Sequence, residues 1–386
     1  MDVSSPLLAQ SRLRLMLIFF VQALAAGSFL TRIPDIQGAL SIDAAALGLV
    51  LFGQTAGGIM FLPFASTAVE WAGTRRTMLI GLPLLALATA IVGASSSAIV
   101  AFAALVTYGA TFAVTNIAMN VEADRIEAAS RLRIMNSCHG MASLGLLAAS
   151  AIGVGARGLA VPHPLHLAAI VPLVLIATAI WVWPLRPSPA RDSPGRGARP
   201  IGHRLGTTLW LLVSVILAAF VLEGTARHWS IIYMRDAFDV ADWVEALALT
   251  AFLVGMAVGR FLGDGLAGRL GPVALARAAL LLALVALVAI AAAPLSGIGL
   301  IGFAALGIGT SVMYPLTLSA AARAGGRRAS ENVAAVTMAG AILVLAAPAL
   351  LGYIASAFGI RMIFVAIVPV VLLSLATSGV LGKGPS

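Results

Sequence analysis

Residues 186–200 read Arg186-Pro-Ser-Pro-Ala-Arg-Asp-Ser-Pro-Gly-Arg-Gly-Ala-Arg-Pro200. Proline and glycine at this density cannot pack a core, so the stretch reads as a flexible linker, placed at 186–205. It is the longest polar break in the chain. On both sides lie apolar runs separated by short charged or Pro/Gly breaks. A helix of ~20 apolar residues crosses the ~30 Å hydrocarbon layer. The runs before the linker fall at about 14–33, 45–67, 77–95, 98–121, 134–156 and 164–185. Those after it fall at about 206–228, 243–266, 272–293, 296–320, 332–355 and 360–381. The linker thus predicts an all-α membrane protein with about twelve transmembrane helices in two six-helix halves, 1–185 and 206–386, built from three-helix repeats.

Composition fits this reading. The 386 residues are 61% hydrophobic and 10% charged, against about 25% charged in a soluble domain. A chain this apolar cannot cover its surface with polar groups, so the lipid bilayer is its expected solvent. The net charge of +9 is carried by arginine, with Lys383 the sole lysine. Nucleic acid is excluded as a partner, because the arginines sit in short clusters between apolar runs and no stacking platform accompanies them. Cys138 is the only cysteine, which rules out an intrachain disulfide and a thiolate metal cluster. The run Leu15 to Leu30 follows Arg12 and Arg14 in the manner of a signal peptide, but the next apolar run follows closely, so it reads as a retained first helix.

Arginine placement sets the expected orientation. One side of the alternation collects Arg12, Arg14, Arg75, Arg76, Arg125, Arg131, Arg133, Arg186, Arg191, Arg196, Arg199, Arg204, Arg269, Arg277, Arg323, Arg327, Arg328 and Lys383. The other holds Arg32, Arg157, Arg227, Arg235 and Arg361. The positive-inside rule puts both termini in the cytoplasm of a multi-pass protein of a bacterial-type inner membrane. Weak internal similarity supports two halves: Arg131-Leu-Arg133-Ile-Met-Asn136 matches Arg327-Arg328-Ala-Ser-Glu-Asn332, a basic pair ahead of an asparagine that opens a helix.

The loop after the second run reads Ser66-Thr-Ala-Val-Glu70-Trp-Ala-Gly73-Thr-Arg75-Arg76. It resembles the Gly-x-x-x-Asp-Arg-x-Gly-Arg-Arg loop of the major facilitator superfamily, with Ser66 for the first glycine and Glu70 for the aspartate. Four further segments resemble the fucose-permease-like and MosC-like branch: Arg32-Ile-Pro-Asp-Ile-Gln37, His139-Gly-Met-Ala-Ser143-Leu-Gly145, Glu223-Gly-Thr-Ala-Arg-His-Trp229-Ser, and Gly259-Arg260-Phe-Leu-Gly263-Asp264 ahead of Arg269-Leu-Gly271. The resemblance spans the whole chain. It implies a monomeric secondary transporter working by alternating access around a midplane site, with Glu70, Arg75 and Arg76 at a gate. The branch includes a rhizopine permease, so an inositol-derived amine is among the implied substrates.

Ionisable residues within spans are costly and mark pathways or helix contacts. Glu223 either takes a proton or meets a cationic solute, or it pairs with Arg227 four residues on. His139 either carries a coupling proton or hydrogen-bonds between the fourth and fifth helices. Arg260 and Asp264, spaced i, i+4, form an expected structural pair at the cytoplasmic gate, and Glu122 and Asp124 suggest a similar role. Gln22, Gln54, Tyr108, Asn116, Asn120, Trp229, Tyr314, Asn332 and Thr337 supply hydrogen bonds and aromatic faces suited to a sugar or polyol; the same residue types also serve as ordinary helix contacts. In span four, where sugar/proton symporters of the superfamily can carry an acid, Asn116 and Asn120 are neutral, which shifts weight to Glu223.

No metal site or cofactor is expected. The absence of Gly-x-x-x-x-Gly-Lys-Ser/Thr argues against ATP drive. Gly145 is followed by Leu rather than by the proline of drug antiporters. No nucleophile–base pair is visible, so the chain reads as a non-enzyme. The leading expectation is proton-coupled transport of a small polar organic solute: a sugar, a polyol or an amine such as rhizopine. An exporter of small hydrophobic compounds and a non-transporting membrane sensor stand as alternatives.

Overall fold

The computed structural model describes residues 6–130, 134–186, 206–325 and 329–382, with the side chains of 6–8, 264 and 330 left aside. The segment 187–205, and with it almost the whole expected linker, lies outside the described residues, as do Arg131, Arg133, Arg327, Arg328 and Lys383. The chain divides into two compact units, 1–194 and 195–386. Every regular element among the described residues is helical.

Unit one holds α1 (Pro6–Ser28), α2 (Ile33–Leu40), α3 (Ala44–Ala94), α4 (Ala98–Ser130), α5 (Met135–Gly158) and α6 (His163–Ala177). A π turn over Thr178–Val182 continues α6. Unit two holds α7 (Thr207–Ala237), α8 (Asp242–Leu270), α9 (Pro272–Ala292), α10 (Ser296–Ser311), α11 (Met313–Arg323), α12 (Ala329–Leu343), α13 (Ala347–Phe358), α14 (Met362–Ala366) and α15 (Val368–Thr377). Among the described residues eleven helical stretches are long and apolar enough to cross a membrane, so this is a multi-pass membrane protein.

One of the eleven, α3, has 51 residues. At 1.5 Å per residue that is roughly 77 Å, more than two hydrocarbon layers of ~30 Å. Its helical geometry breaks at Gly73, where φ is 78° and ψ is 156°. Only glycine adopts that conformation without strain. Unit two repeats the break at Gly271, φ 78° and ψ 161°, between α8 and α9, and Pro272 opens α9 at a position where its missing N–H costs nothing. The two turns are the loops that carry the basic motifs.

Within unit one α3 packs chiefly on α4, and α1 on α5; within unit two α8 packs on α10, α10 on α9, and α7 on α8, α12 and α15. The tightest approaches are made by paired glycines. A Cβ on Gly57 would lie 2.0 Å from the Val106 carbonyl oxygen, and one on Gly109 would lie 1.9 Å from that of Gln54. Unit two has the same reciprocal pair, Gly255 against Ala304 and Gly307 against Phe252. Van der Waals contact between helices in lipid depends on such small residues.

Candidate functional site

The richest constellation in unit two stands on α7. Phe220, Glu223, Arg227 and Ser230 are spaced three, four and three residues apart, which aligns them on one helical face. Glu223 Oε1 and Arg227 form an ion pair along that face. Both are half-buried, with 23% and 35% side-chain exposure. The guanidinium keeps unused capacity: its Nε is buried without an acceptor. One turn further on, Ser230 is fully buried and its hydroxyl is also without a partner.

The helices opposite complete the constellation. Tyr314 of α11 packs its ring against Phe220 at 5.9 Å. Its hydroxyl stands beside Thr337 of α12 and within electrostatic reach of Glu223. Thr337 Oγ1 makes no hydrogen bond of ordinary geometry. Gly340 leaves room for this arrangement, since a Cβ there would meet Ile216 at 2.8 Å and Phe220 at 3.0 Å. Three expected site residues, Glu223, Tyr314 and Thr337, therefore meet, together with the pairing partner Arg227. Two others do not join them. Trp229 falls on the opposite face of α7, fully buried, with an unpartnered Nε1. Asn332 donates from Nδ2 to the Ala324 carbonyl at 2.7 Å, tying the start of α12 to the end of α11.

Unit one carries a polar chain between α1 and α4. Asn120 Nδ2 donates to Asn116 Oδ1 at 2.9 Å, Asn116 Nδ2 to Gln22 Oε1 at 3.3 Å, and Gln22 Nε2 to the Phe112 carbonyl at 3.4 Å. Tyr108 donates to the Ala26 carbonyl at 2.8 Å and stacks with Phe112. Gln54 has a buried, unpartnered Oε1. His139 is exposed on α5 and meets the Phe19 ring edge-on at 5.4 Å.

A buried ionic network, whose members sequence reasoning did not group, joins α2, α5 and α6. Asp35 accepts from Arg32 at 3.1 Å and from Arg157 at 2.8 Å, and both arginines are nearly inaccessible. Arg32 Nε donates to His166 Nδ1 at 3.0 Å, and its NH2 to the Val161 carbonyl at 3.1 Å. An imidazole accepting at Nδ1 carries its proton on Nε2. The sequence held one clue: both arginines lie on the arginine-poor side.

At the expected gate, Arg75 donates to the Trp183 carbonyl and lies over its ring at 5.3 Å, while Arg14 donates to the Pro184 carbonyl at 3.1 Å. Cations belong at a helix C-terminus, where carbonyls go unpaired. Thr74 donates to buried Glu122 at 2.6 Å. Glu70 and Arg76 are exposed, as is Arg260. The side chain of Asp264 lies outside the described residues, and with it the expected Arg260–Asp264 pair. Among the described residues no three His, Cys, Asp or Glu side chains converge as metal ligands.

No family model matches the sequence. The chain is 28% identical over 343 residues to the membrane protein MosC of Rhizobium meliloti, covering 89% of this chain and 83% of MosC. It is 25% identical over 371 residues to an uncharacterized MFS-type transporter of Yersinia pestis, covering 94% and 93%. Among solved structures it shares its fold with a bacterial homolog of the human lysosomal transporter Spinster, at TM-score 0.77 and 16% identity over 98% of this chain and 97% of that one. It also shares it with the nucleoside transporter NupG, at TM-score 0.75 and 12% identity over 97% and 99%.

Proposed function

We propose, for a chain that belongs to the major facilitator superfamily and stands in its MosC-like branch, that the protein is a non-enzymatic secondary transporter of a small polar organic solute. The solute class is drawn from sugars, polyols and inositol-derived amines. Transport is coupled to protons and runs by alternating access in a monomer. Counting α3 as two crossings on either side of Gly73 gives twelve spans, six in residues 1–185 and six in 206–386. Both termini then face the cytoplasm of an inner membrane.

The observation that carries the reading is the α7 face with its partners from α11 and α12. A carboxylate, a guanidinium, two hydroxyls and an aromatic ring meet there. Hydrogen-bonding groups beside an aromatic face suit a polar, ring-shaped solute. Glu223 supplies the titratable group that proton coupling needs. In unit one the Asn120–Asn116–Gln22 chain is the second candidate for solute contact.

The test is uptake in proteoliposomes by the full chain, with a radiolabelled panel of sugars, cyclitols and their amino and acid derivatives as probes. Accumulation that requires an inward proton gradient is the expected result. Extrusion of hydrophobic dyes in preference to these probes would establish the exporter reading. Movement of no solute of either class would leave a membrane protein that does not transport.

A further inference from the structure

The pairing of Glu223 with Arg227 restricts the charge of the solute. Together the two side chains are neutral. A neutral solute can hydrogen-bond to both groups but cannot replace either charge when the pair opens. A cationic solute that took Glu223 would evict Arg227 and leave a partly buried guanidinium without a counter-ion, which is costly. An anionic solute alone would meet Glu223 and be repelled. An anion bound together with one proton leaves the loaded site as neutral as the empty one. The proton neutralises the Glu223 carboxylate, the ion pair opens, and the solute's anionic group takes its place on Arg227.

The unpartnered groups on the same face fit this exchange. Arg227 Nε is a donor-only atom, buried and unfilled. Ser230, one turn along, is fully buried and its hydroxyl has no partner. An anionic oxygen is the natural complement of such donors, and a guanidinium is the side chain best shaped to hold a carboxylate through two parallel bonds. The charged and titratable groups that bear on Glu223 are Arg227 from α7 and Tyr314 from α11, with His228 next to Arg227. From α12 the facing side chain is the neutral Thr337.

Resting on the transport reading above and narrowing its sugar and polyol class to acid derivatives, we infer that the solute bears a carboxylate or an equivalent anionic group, which replaces Glu223 on Arg227 when Glu223 takes up the co-transported proton. The bookkeeping is electroneutral: one proton and one negative charge enter, and both leave when the Glu223–Arg227 pair re-forms.

D-glucuronate, D-glucose and D-glucosamine are closely similar pyranoses bearing a carboxylate, no charge and an ammonium group. Each is offered to the full chain in proteoliposomes, under a proton gradient and, separately, under a membrane potential alone. The expected result is accumulation of glucuronate, driven by the gradient and insensitive to the potential, with little uptake of the other two. Arg227→Lys keeps the charge and removes Nε and the fork; it is expected to raise the KM for glucuronate about ten-fold or more. Glu223→Gln is expected to exchange glucuronate with no pH dependence. Uptake of glucose or glucosamine ahead of glucuronate overturns this inference and leaves the transport reading standing. Uptake of none of the three overturns this inference, and uptake of nothing in the wider panel of sugars, cyclitols and their derivatives overturns the transport reading as well.

Discussion

Arg32 and Arg157 share one carboxylate, and that fact fixes what Asp35 is worth. The two guanidinium side chains are 4% and 3% exposed, so removing Asp35 strands two cations away from water. Breaking a buried pair from one side costs about 3–5 kcal/mol. Asp35→Ala is therefore expected to lower thermal stability in detergent sharply. Asp239→Ala, at an exposed position, serves as the control and is expected to change it by no more than about 0.5 kcal/mol. The pair on α7 has a different consequence. Glu223→Gln removes the group that can exchange a proton but keeps a polar side chain of the same size. It is expected to abolish gradient-driven accumulation while counterflow exchange continues, and measuring both in the same proteoliposomes separates coupling from binding. His139→Gln, at an exposed position on α5, is expected to slow transport less. These two residue-scale features were unequally legible. Glu223 and Arg227 lie four residues apart on one helix, and helical period alone brings them together. The Asp35–Arg157 and Arg32–His166 contacts span 122 and 134 residues, and only the packing of α5 and α6 against the end of α1 creates them. Arginines on the arginine-poor side marked something unusual, but nothing in their spacing named the partner.

At the scale of elements, the apolar runs gave away the helices because a bilayer demands a length. They could not show how helices meet, because small residues are scattered throughout the chain. The pairing of α3 with α4 turns on which glycine faces which carbonyl. Gly57 faces Val106 at 2.0 Å, whereas its neighbour Gly58 would place a Cβ at an ordinary 3.6 Å from Gly109. The two are adjacent in sequence and differ by one step around the helix. Gly57→Ala is expected to push α3 and α4 apart and to cost about 1–3 kcal/mol, the usual penalty for overpacking. Gly58→Ala is expected to be neutral. Thermal melting of the two variants in the same detergent checks the register, and equal stability would mean that the helices do not pack as described. In unit two, the packing of α11 and α12 on α7 brings Tyr314 and Thr337 to Glu223. Sequence reading named all three as candidates but had no means to separate them from Trp229, whose side chain α7 turns to its other face. Residue type was legible, while facing direction needed the neighbouring helices.

For the whole molecule, the orientation rests on arginines that differ in kind as well as in number. On the arginine-poor side Arg32 and Arg157 bind Asp35, Arg227 binds Glu223, and Arg235 binds Asp236 at 2.7 Å. Arg361 donates to neutral carbonyls, those of Ala291 and Ala293, and lies over the rings of Tyr233 and Phe238. Carboxylates thus offset charge on four of these five arginines, which offer less free charge to an anionic leaflet. On the arginine-rich side Arg14, Arg75 and Arg323 donate to backbone carbonyls, which leaves their full charge in place. Among the described arginines this difference in partners is of the sense that the proposed cytoplasmic placement of both termini requires. Cysteine labelling tests this directly, because the native Cys138 is fully buried and contributes little background. Arg186→Cys, at an exposed position after the sixth span, is expected to react with a membrane-impermeant maleimide only after cells are permeabilised. Asp239→Cys, exposed between α7 and α8, is expected to react in intact cells. The two positions are separated by one crossing, α7, so they must respond oppositely whatever the orientation. Opposite labelling in the reverse sense would invert the protein in the membrane. Labelling of both from outside would break the alternation itself and remove α7 as a transmembrane helix.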